Sequence, residues 1–485
     1  MKRSHHMIVA IGILFMATAI PGNAQLPNTM YFMPGVPQSN RINPSIQPGC
    51  GFYLGFPGLA PLRFQVSSSS LGWSDLIYQH PDPSIDSLIT PFHPMGDKQG
   101  FLDQLDDVNY ILAEMGTSLA SMGFRAGKSF ISLDLTARAD GNVYYPRGAF
   151  DLLFNGAPNG SEINLSGLGA DINVFTEASL GWSRKDFILP GLDIGIRGKA
   201  LFGLANLNTK SSEFNIATSM DMWNVQSDMQ FNVAGPSFVT FLEDFEDGPP
   251  VEIDETFFDV LDPRRISSTV FDMQQFGLAL DAGISYRPFR QLLFSASLLD
   301  LGGIDWNNAA GGSFDFEYDF EGIEVNPFTG VDTTLLTELQ DSLWNAVSFM
   351  PLPGGSYFAR LNTKLFLGVS YYPVERIGFG LLSRTDFLNE KLSQQFTGSV
   401  NMTTGKFINL SLSYSYMSRS FNNIGAGVSF NVGPFNLYLI SDNIVSGALK
   451  PLDTRSFSFW FGMNLAFGWD RYSKRSKPVD RPMIR

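Results

Sequence analysis

Apolar and polar residues alternate through the last hundred residues of the chain, and the final segment shows the pattern most clearly. Large apolar side chains occupy its odd positions: Phe457, Phe459, Phe461, Met463, Leu465, Phe467 and Trp469. The even positions are mostly small or polar: Ser458, Trp460, Gly462, Asn464, Ala466 and Gly468. A period of two places the two sets on opposite faces of a β-strand. These 13 residues, at about 3.3 Å each, are enough to cross a bilayer in a tilted strand.

The same alternation recurs in earlier segments. Leu410, Leu412, Tyr414 and Tyr416 alternate with serines, and residues 424–433 alternate apolar residues with Gly, Ser and Asn. Repeated strands of this kind predict an all-β fold, a transmembrane antiparallel β-barrel that is apolar outside and polar inside. The alternative is a soluble β-sandwich, in which the apolar faces form a core and the turns at both ends have similar lengths.

Turn lengths favour the barrel. The pattern predicts about 14 strands, at 62–73, 117–125, 129–139, 165–182, 192–206, 276–288, 292–306, 356–373, 376–388, 391–404, 407–418, 422–433, 434–444 and 455–469. Short turns then fall at one end, and two long stretches, 207–275 and 307–355, fall at the other. Because bacterial outer-membrane barrels have short periplasmic turns and long extracellular loops, we expect an outer-membrane location with these two stretches outside.

The N-terminal region is predicted to have two parts. Lys2 and Arg3, the apolar run Met7–Ile20 and the small residues before Gln25 predict a signal peptide at residues 1–24. Residues 25–61 contain seven prolines, which argues against a long regular element. We expect this segment to be an arm or plug inside or under a barrel of residues 62–469, with a basic periplasmic tail at 470–485.

Two helices are predicted within the loops. Phe101, Leu105, Val108 and Leu112 have helical spacing, which predicts a helix over Lys98–Met115. A second helix is predicted near Thr333–Val347.

Composition and charge narrow the class further. The chain has 485 residues, 16% charged residues and a mean hydropathy of +0.01, which excludes a helical membrane protein. Residues 207–275 hold 13 acidic and 3 basic residues, and residues 307–355 hold 8 acidic and no basic residues. The tail 470–485 instead holds six basic and two acidic residues. This asymmetry indicates two faces in different environments.

Catalytic chemistry is poorly supported. The single cysteine, Cys50, has no partner for an internal disulfide, and only His80 and His93 remain after signal removal. Phosphate-loop, zinc and Ser-His-Asp motifs are absent, and the acidic runs lack the spacing of a calcium loop. We expect no enzyme activity, no cofactor, no metal and no nucleic-acid partner.

Six charged residues lie on the polar faces of predicted strands: Asp171, Glu177, Asp193, Arg197, Lys199 and Asp281. They are candidates to line a permeation path. The alternative is that they pair across neighbouring strands and fill the barrel. Aromatic residues near strand ends are expected in interfacial girdles: Trp182, Trp306, Tyr371, Tyr372 and Trp469.

Several features together carry a family resemblance. The signal ending before Gln25, the Asn43-Pro44 arm, the helix-bearing first loop and the Tyr-Arg-Pro-Phe turn at 286–289 resemble a Bacteroidota family of outer-membrane barrels with a domain of unknown function. The architecture is similar to FadL-type hydrophobic-compound transporters and to the PorV barrel of type IX secretion. Those relatives have fourteen strands and an N-terminal Asn-Pro-Ala motif, whereas Ser45 stands third here. The resemblance makes Asn43 and Pro44 candidates for a plug motif.

Two functions follow from that resemblance. The first is passive, FadL-like transport of small hydrophobic molecules, with the arm and the loop residues Phe92, Phe101, Leu102 and Leu105 supplying an apolar site. The second is PorV-like docking of secreted proteins or envelope partners through acidic extracellular loops, because a charged surface steers partners. Outer-membrane lipid is the partner that both functions share.

Overall fold

Antiparallel strands close into a single ring. The computed structural model describes residues 28–219, 222–235, 239–241, 251–253, 273–320, 349–388, 392–404, 407–417, 420–444 and 455–469. The main sheet has 18 strand segments. In four cases, two segments that follow each other in the sequence bond to different parts of the same neighbouring strand, so the two segments together count as one strand position of the ring. The described residues therefore form fourteen strand positions, which confirms the predicted antiparallel barrel.

The positions are numbered in chain order. They are β1 (Phe52–Gly55 and Leu62–Ser68), β2 (Val108–Ala126), β3 (Ser129–Pro146), β4 (Glu162–Asn164 and Gly169–Arg184), β5 (Leu192–Thr218), β6 (Trp223–Ala234 and Phe276–Phe289), β7 (Leu292–Phe320), β8 (Phe349–Arg360 and Thr363–Val374), β9 (Ile377–Phe387), β10 (Leu392–Thr404), β11 (Ile408–Met417), β12 (Ser420–Val432), β13 (Phe435–Ser441) and β14 (Ser456–Phe467).

Strand β1 closes the ring. Leu54 lies opposite Leu465 of β14 on one side and opposite Met122 of β2 on the other. Strand pairing thus begins inside the predicted arm of residues 25–61. The described residues that precede the wall are 28–51.

The wall has an apolar outside and a polar inside. Outward side chains such as Leu381, Leu278 and Leu180 are 70%, 64% and 60% exposed, whereas the inward Ser458 and Asn464 are fully buried. The alternation predicted for the last strand is confirmed, since its even positions face inward and are buried. This polarity is the reverse of a soluble protein and suits a barrel whose outer solvent is lipid.

The two ends of the barrel differ. Short turns join β2 to β3, β4 to β5, β6 to β7, β8 to β9, β10 to β11 and β12 to β13 at one end. At the opposite end lie the helices Trp73–Leu76, Lys98–Asp103 and Arg147–Asn155. Short ribbons pair Tyr78–Gln79 with Leu88–Ile89 and Val239–Phe241 with Val251–Ile253. None of the helices in the described ranges is long and apolar enough to cross a membrane.

The helix predicted over Lys98–Met115 is wrong beyond its first turns. The helix spans Lys98–Asp103, and strand β2 begins at Val108. Strand β2 forms a continuous ladder with β3, and these inter-strand hydrogen bonds override the helical spacing of the apolar residues. The predicted signal peptide, the helix near Thr333–Val347 and the basic tail lie outside the described residues.

A charge on the outer face provides a test of the face assignment. We expect Leu381→Arg, in the middle of β9, to lower barrel stability in lipid by about 2–4 kcal/mol, because hydrocarbon offers the guanidinium no partner. Phe387→Arg, at the end of the same strand and 42% exposed, should cost far less. Urea unfolding of both variants in lipid vesicles measures the difference, and equal costs would contradict a lipid-facing β9.

Candidate functional site

The arm, residues 28–51, lies inside the barrel. Asp442, just after β13, accepts hydrogen bonds from the backbone amides of Asn28 and Thr29, at 2.6 and 2.9 Å. Farther along the arm, Gln38 Nε2 lies 2.5 Å from Asn464 Oδ1 of β14. The arm is therefore bound to the wall by polar side chains that the strand alternation turns inward.

Asn43 and Pro44, the predicted plug motif, occupy a notch between two strands. Gly195 of β5 and Gly283 of β6 are direct register partners. A Cβ atom added at Gly195 would lie 2.1 Å from the Pro44 carbonyl oxygen, and one added at Gly283 would lie 2.2 Å from Asn43 Oδ1. Only glycine at these two wall positions leaves room for the arm.

Hydrogen bonds fix the arm within this notch. Asn43 Oδ1 accepts from the Ser45 amide at 3.0 Å and from Ser45 Oγ at 2.7 Å, and Asn43 Nδ2 donates to Tyr31 Oη at 3.0 Å. Ser297 Oγ of β7 donates to the Ile42 carbonyl at 2.8 Å. Ser45 thus completes the motif through its hydroxyl, a contact that alanine does not offer.

An apolar cluster joins the arm to strands β7, β8, β9, β13 and β14 of the wall. It contains Met30, Tyr31, Phe32, Met33, Val36 and Ile42 of the arm and Leu299, Phe366, Leu382, Tyr438, Ile440 and Trp460 of the wall. The Tyr31 and Phe366 rings stack with centroids 5.5 Å apart. Sequence reasoning missed this cluster because the inward wall positions were expected to be small or polar.

Four of the six predicted lumen residues come together in the barrel interior: Glu177, Arg197, Lys199 and Asp281. Lys199 Nζ lies 2.7 Å from Asp281 and 3.8 Å from Glu177, on the two strands that flank β5. Asp171 is also buried, near the loop end, where it accepts from Asn208 Nδ2 at 2.5 Å. Asp193 lies at the short-turn end and accepts from the Asp186 amide at 3.0 Å, so it is not part of the interior cluster.

Asp300 of β7 is the centre of this cluster, and strand alternation did not predict it. Its carboxylate lies 2.9 Å from Arg138 of β3, 2.5 Å from Lys199 and 3.5 Å from Lys364 of β8. Arg138 also pairs with Glu177 at 2.8 Å and with Asp140 at 2.7 Å. The network thus connects strands on different sides of the lumen.

A β-bulge directs Asp300 inward. The register of β7 against β6 shifts at this point, Asp300 has a φ of 59°, and its amide donates to Asp281 Oδ1 at 2.8 Å. Aspartate and asparagine tolerate positive φ better than most residues, and bulges reorient side chains. The alternation of β7 therefore does not report where this carboxylate points.

Glu114 of β2 and Lys364 of β8 form a second pair across the lumen, at 2.9 Å. We refer to the Asp300 cluster, the Glu114–Lys364 pair and the residues Arg63, Arg384, Asp386 and Asp134 together as the charged layer. Arg41 of the arm joins it through Asp134, at 2.7 Å. The layer contains both neighbouring-strand pairs and cross-lumen pairs.

The predicted loop residues Phe92, Phe101, Leu102 and Leu105 form a mouth cluster with the helix Arg147–Asn155. Phe101 contacts Phe150 and Phe154, with centroids 5.1 and 5.5 Å apart, and Phe92 contacts Phe154 at 5.1 Å. Phe101, Leu102 and Leu105 are buried, whereas Phe92 is 57% exposed. An apolar surface therefore remains accessible at the long-loop end.

Two of the predicted girdle aromatics lie elsewhere. Trp306 is fully buried in an interior cluster with Phe175, Leu201 and Ile304, and Trp469 packs against Cys50 and Tyr53. Both predictions were wrong because aromatic residues near strand ends also fill the interior. Tyr371 is 51% exposed on the outer wall, as a girdle residue requires.

Reactive groups are few among the described residues. Burial raises the pKa of the Cys50 thiol to about 12, which keeps it protonated and unreactive at neutral pH. His80 and His93 contact each other at the mouth, with ring centroids 5.7 Å apart. Within the described part of the chain, no group of three or more His, Cys, Asp or Glu side chains could hold a metal ion.

The glycine notch predicts the effect of a larger side chain. Gly195→Val should displace the arm, because the new Cβ overlaps the Pro44 backbone, and should expose Arg41, whose side chain is 11% exposed. Trypsin cleavage after Arg41 in the folded protein measures this displacement. Gly198→Val on the same strand, where a Cβ meets nothing within 4 Å, is the control. Equal protection of Arg41 in both variants would contradict the notch.

The position of Asp300 predicts a large cost for removing its charge. Asp300→Asn keeps the side-chain shape and tolerates positive φ, but leaves Arg138, Lys199 and Lys364 short of a counter-charge. We expect a loss of about 3–5 kcal/mol in urea unfolding from lipid vesicles. Glu375→Gln, whose exposed side chain pairs with Arg290, should change little. A small effect at Asp300 would mean that the layer does not stabilise the barrel.

Two solved proteins are weakly similar to this structure. The toluene transporter TodX of Pseudomonas putida is 7% identical over 92% of this chain and 93% of its own, with a TM-score of 0.33. A FadL homologue of Pseudomonas aeruginosa is 9% identical over 92% and 96%, with a TM-score of 0.36. Similarity at these TM-scores carries no argument about the fold, the ligand or the function of this chain.

Comparison with curated proteins found no match. A family model matches most of the barrel and begins at Pro44, the second residue of the predicted plug motif. The match extends to Asp442, which binds the start of the arm. Since residues 44–442 are matched, the chain belongs to the family of unknown function DUF5723.

Proposed function

We propose that the protein is an outer-membrane barrel through which small hydrophobic molecules pass, and that the arm is its moving part. The apolar outer wall supports a membrane location, because side chains such as Leu381 and Leu180 would otherwise face water. The mouth cluster supports an apolar solute, since Phe92 and Leu153 remain 57% and 66% exposed beside a buried aromatic core.

The observation that carries the proposal is the seating of the arm. From Asn28 to Pro44 the arm is held by hydrogen bonds, one ion pair and apolar contacts, all of which are reversible. It enters the wall only at Phe52. The void beside Asn40 and Pro44 measures about 10 Å³, room for at most one water molecule. Passage between the arm and β5 at this point would require the arm to move.

The charged layer must rearrange together with the arm. An apolar solute does not cross a layer of buried ion pairs without separating charges, at a large cost in free energy. Arg41 supplies the coupling, because it pairs with Asp134, whose other oxygen lies 3.5 Å from Arg197. Withdrawal of the arm would remove one cation from the layer and leave Asp134 to Arg197.

The docking alternative remains a prediction. It depends on residues 207–275 and 307–355, much of which lie outside the described residues. A Bacteroidota origin and a PorV-like role stay predictions as well. In the arm, the charged layer and the mouth cluster, as far as the structure describes them, nothing favours catalysis over passage.

A reversible lock of the arm tests the proposed function. Ser45 Oγ and Ser285 Oγ of β6 lie 2.5 Å apart, so Ser45→Cys/Ser285→Cys in a Cys50→Ser background should form a disulfide between arm and wall. We expect oxidation to reduce uptake of N-phenylnaphthylamine by intact cells to the level without the protein, and a reductant to restore it. Each single-cysteine variant is the control.

Two outcomes would contradict the proposal. Undiminished uptake in the oxidised double variant would mean that the arm does not control passage. Uptake at background in the reduced, correctly folded protein would mean that the barrel does not pass this class of molecule.

A further inference from the structure

The turn between β4 and β5 exposes three consecutive apolar residues. Phe187, Ile188 and Leu189 are 43%, 75% and 53% exposed. They lie at the short-turn end and outside any strand, so strand alternation does not account for their exposure. We refer to these three residues as the tip.

The turn that carries the tip is firmly ordered. Asp186, with a φ of 49°, accepts from the Gly191 amide at 2.7 Å and donates its own amide to Asp193 at 3.0 Å. The Lys185 amide donates to the Lys128 carbonyl of the preceding short turn, and the Arg287 amide donates to the Gly191 carbonyl. These hydrogen bonds hold the turn that carries the tip. Asp193 contributes to them by accepting from the Asp186 amide.

The tip lies against the outer wall of the barrel. The Phe187 ring meets the Trp182 ring edge-on, with centroids 6.4 Å apart. Trp182 is on the outward face of β4 with Leu180, and it lies opposite the outward Ile196 of β5, which is 49% exposed. The apolar surface of the tip is thus continuous with the surface that faces lipid.

Cations outnumber carboxylates on the chain segments next to the tip. Arg184 ends β4, Lys185 follows it in the turn, and Lys128 lies on the turn between β2 and β3. Asp186 pairs with Lys128 at 3.3 Å. Burial lowers the pKa of Lys185, and the like charges of Arg125 and Arg287 lower it further. A nearby anion would relieve this repulsion. Phosphate groups of phospholipids are anions that Lys and Arg bind at membrane surfaces.

We propose that the tip inserts into the leaflet at the short-turn end, where Phe187, Ile188 and Leu189 enter the headgroup–acyl boundary and the adjacent cations bind phospholipid phosphates. An apolar tip flanked by Lys and Arg beside an interfacial tryptophan has the chemistry of such an anchor. The anchor fixes the depth of β4 and of β5, the strand that carries Gly195 of the arm notch. The inference depends on the membrane location proposed above.

Three fluorescent labels test it in the Cys50→Ser background. A bimane is attached at Ile188→Cys in the tip, at Leu180→Cys on the outer wall and at Glu375→Cys in another short turn, where the native side chain is 73% exposed. The proteins are refolded into phosphatidylcholine vesicles that contain spin-labelled lipids. We expect quenching of the Ile188 label chiefly by shallow nitroxides, of the Leu180 label by deeper ones, and little quenching of the Glu375 label.

The outcomes separate the anchor from the membrane location. Quenching at Leu180 with none at Ile188 would overturn the anchor and leave the barrel in the membrane, with the tip free for a protein partner. Absence of quenching at Leu180 would overturn the membrane location itself.

The proposed contact between the cations and lipid phosphates is tested with a separate variant. In vesicles containing phosphatidylglycerol, Arg184→Glu should reduce shallow quenching of the Ile188 label, because the phosphate contact is lost. Unchanged quenching in this variant would overturn the phosphate contact, leaving insertion by the apolar residues alone.

Discussion

Closure of the strand ring is the constraint on which the rest of the structure depends. Because β1 bonds to both β14 and β2, the described wall has no open edge, and every second residue must face the inside. Eight strands enclose an interior that wall side chains fill, and fourteen enclose a wider one. In this barrel the arm and the charged layer occupy part of that wider interior.

The arm and the charged layer fill this space by different means. The arm relies on shape, with Asn43 and Pro44 in the glycine notch and its apolar side chains against Phe366 and Trp460. The layer relies on charge balance among seven cations and seven carboxylates: Arg41, Arg63, Arg138, Arg197, Lys199, Lys364 and Arg384 with Glu114, Asp134, Asp140, Glu177, Asp281, Asp300 and Asp386. Because buried ions are costly unless paired, this balance makes the layer cooperative.

Arg41 gives the two structures a common element. It belongs to the arm, yet its ion pair lies within the layer, so a displaced arm changes the charge balance of the lumen. Movement of the arm alone would therefore change the ion pairing of Asp134 on β3 and of Arg197 on β5. The turn at residues 185–191 lies at the short-turn end of β5. It connects β5 to β6 through the hydrogen bond from the Arg287 amide to the Gly191 carbonyl.

The sequence by itself determined the features whose cause is local. A period of two marks a strand wherever its two faces meet different solvents, which is why each of the fourteen positions contains a predicted strand, although several observed strands extend beyond the predicted bounds. Only tertiary structure decided which inward groups meet. Glu114 lay in a segment with helical spacing, Asp300 became central through a bulge, and the seat of Asn43 arose from the register of Gly195 and Gly283. Periodicity reports the solvent that each face meets, whereas partners across a lumen depend on ring size and register, which no local segment encodes.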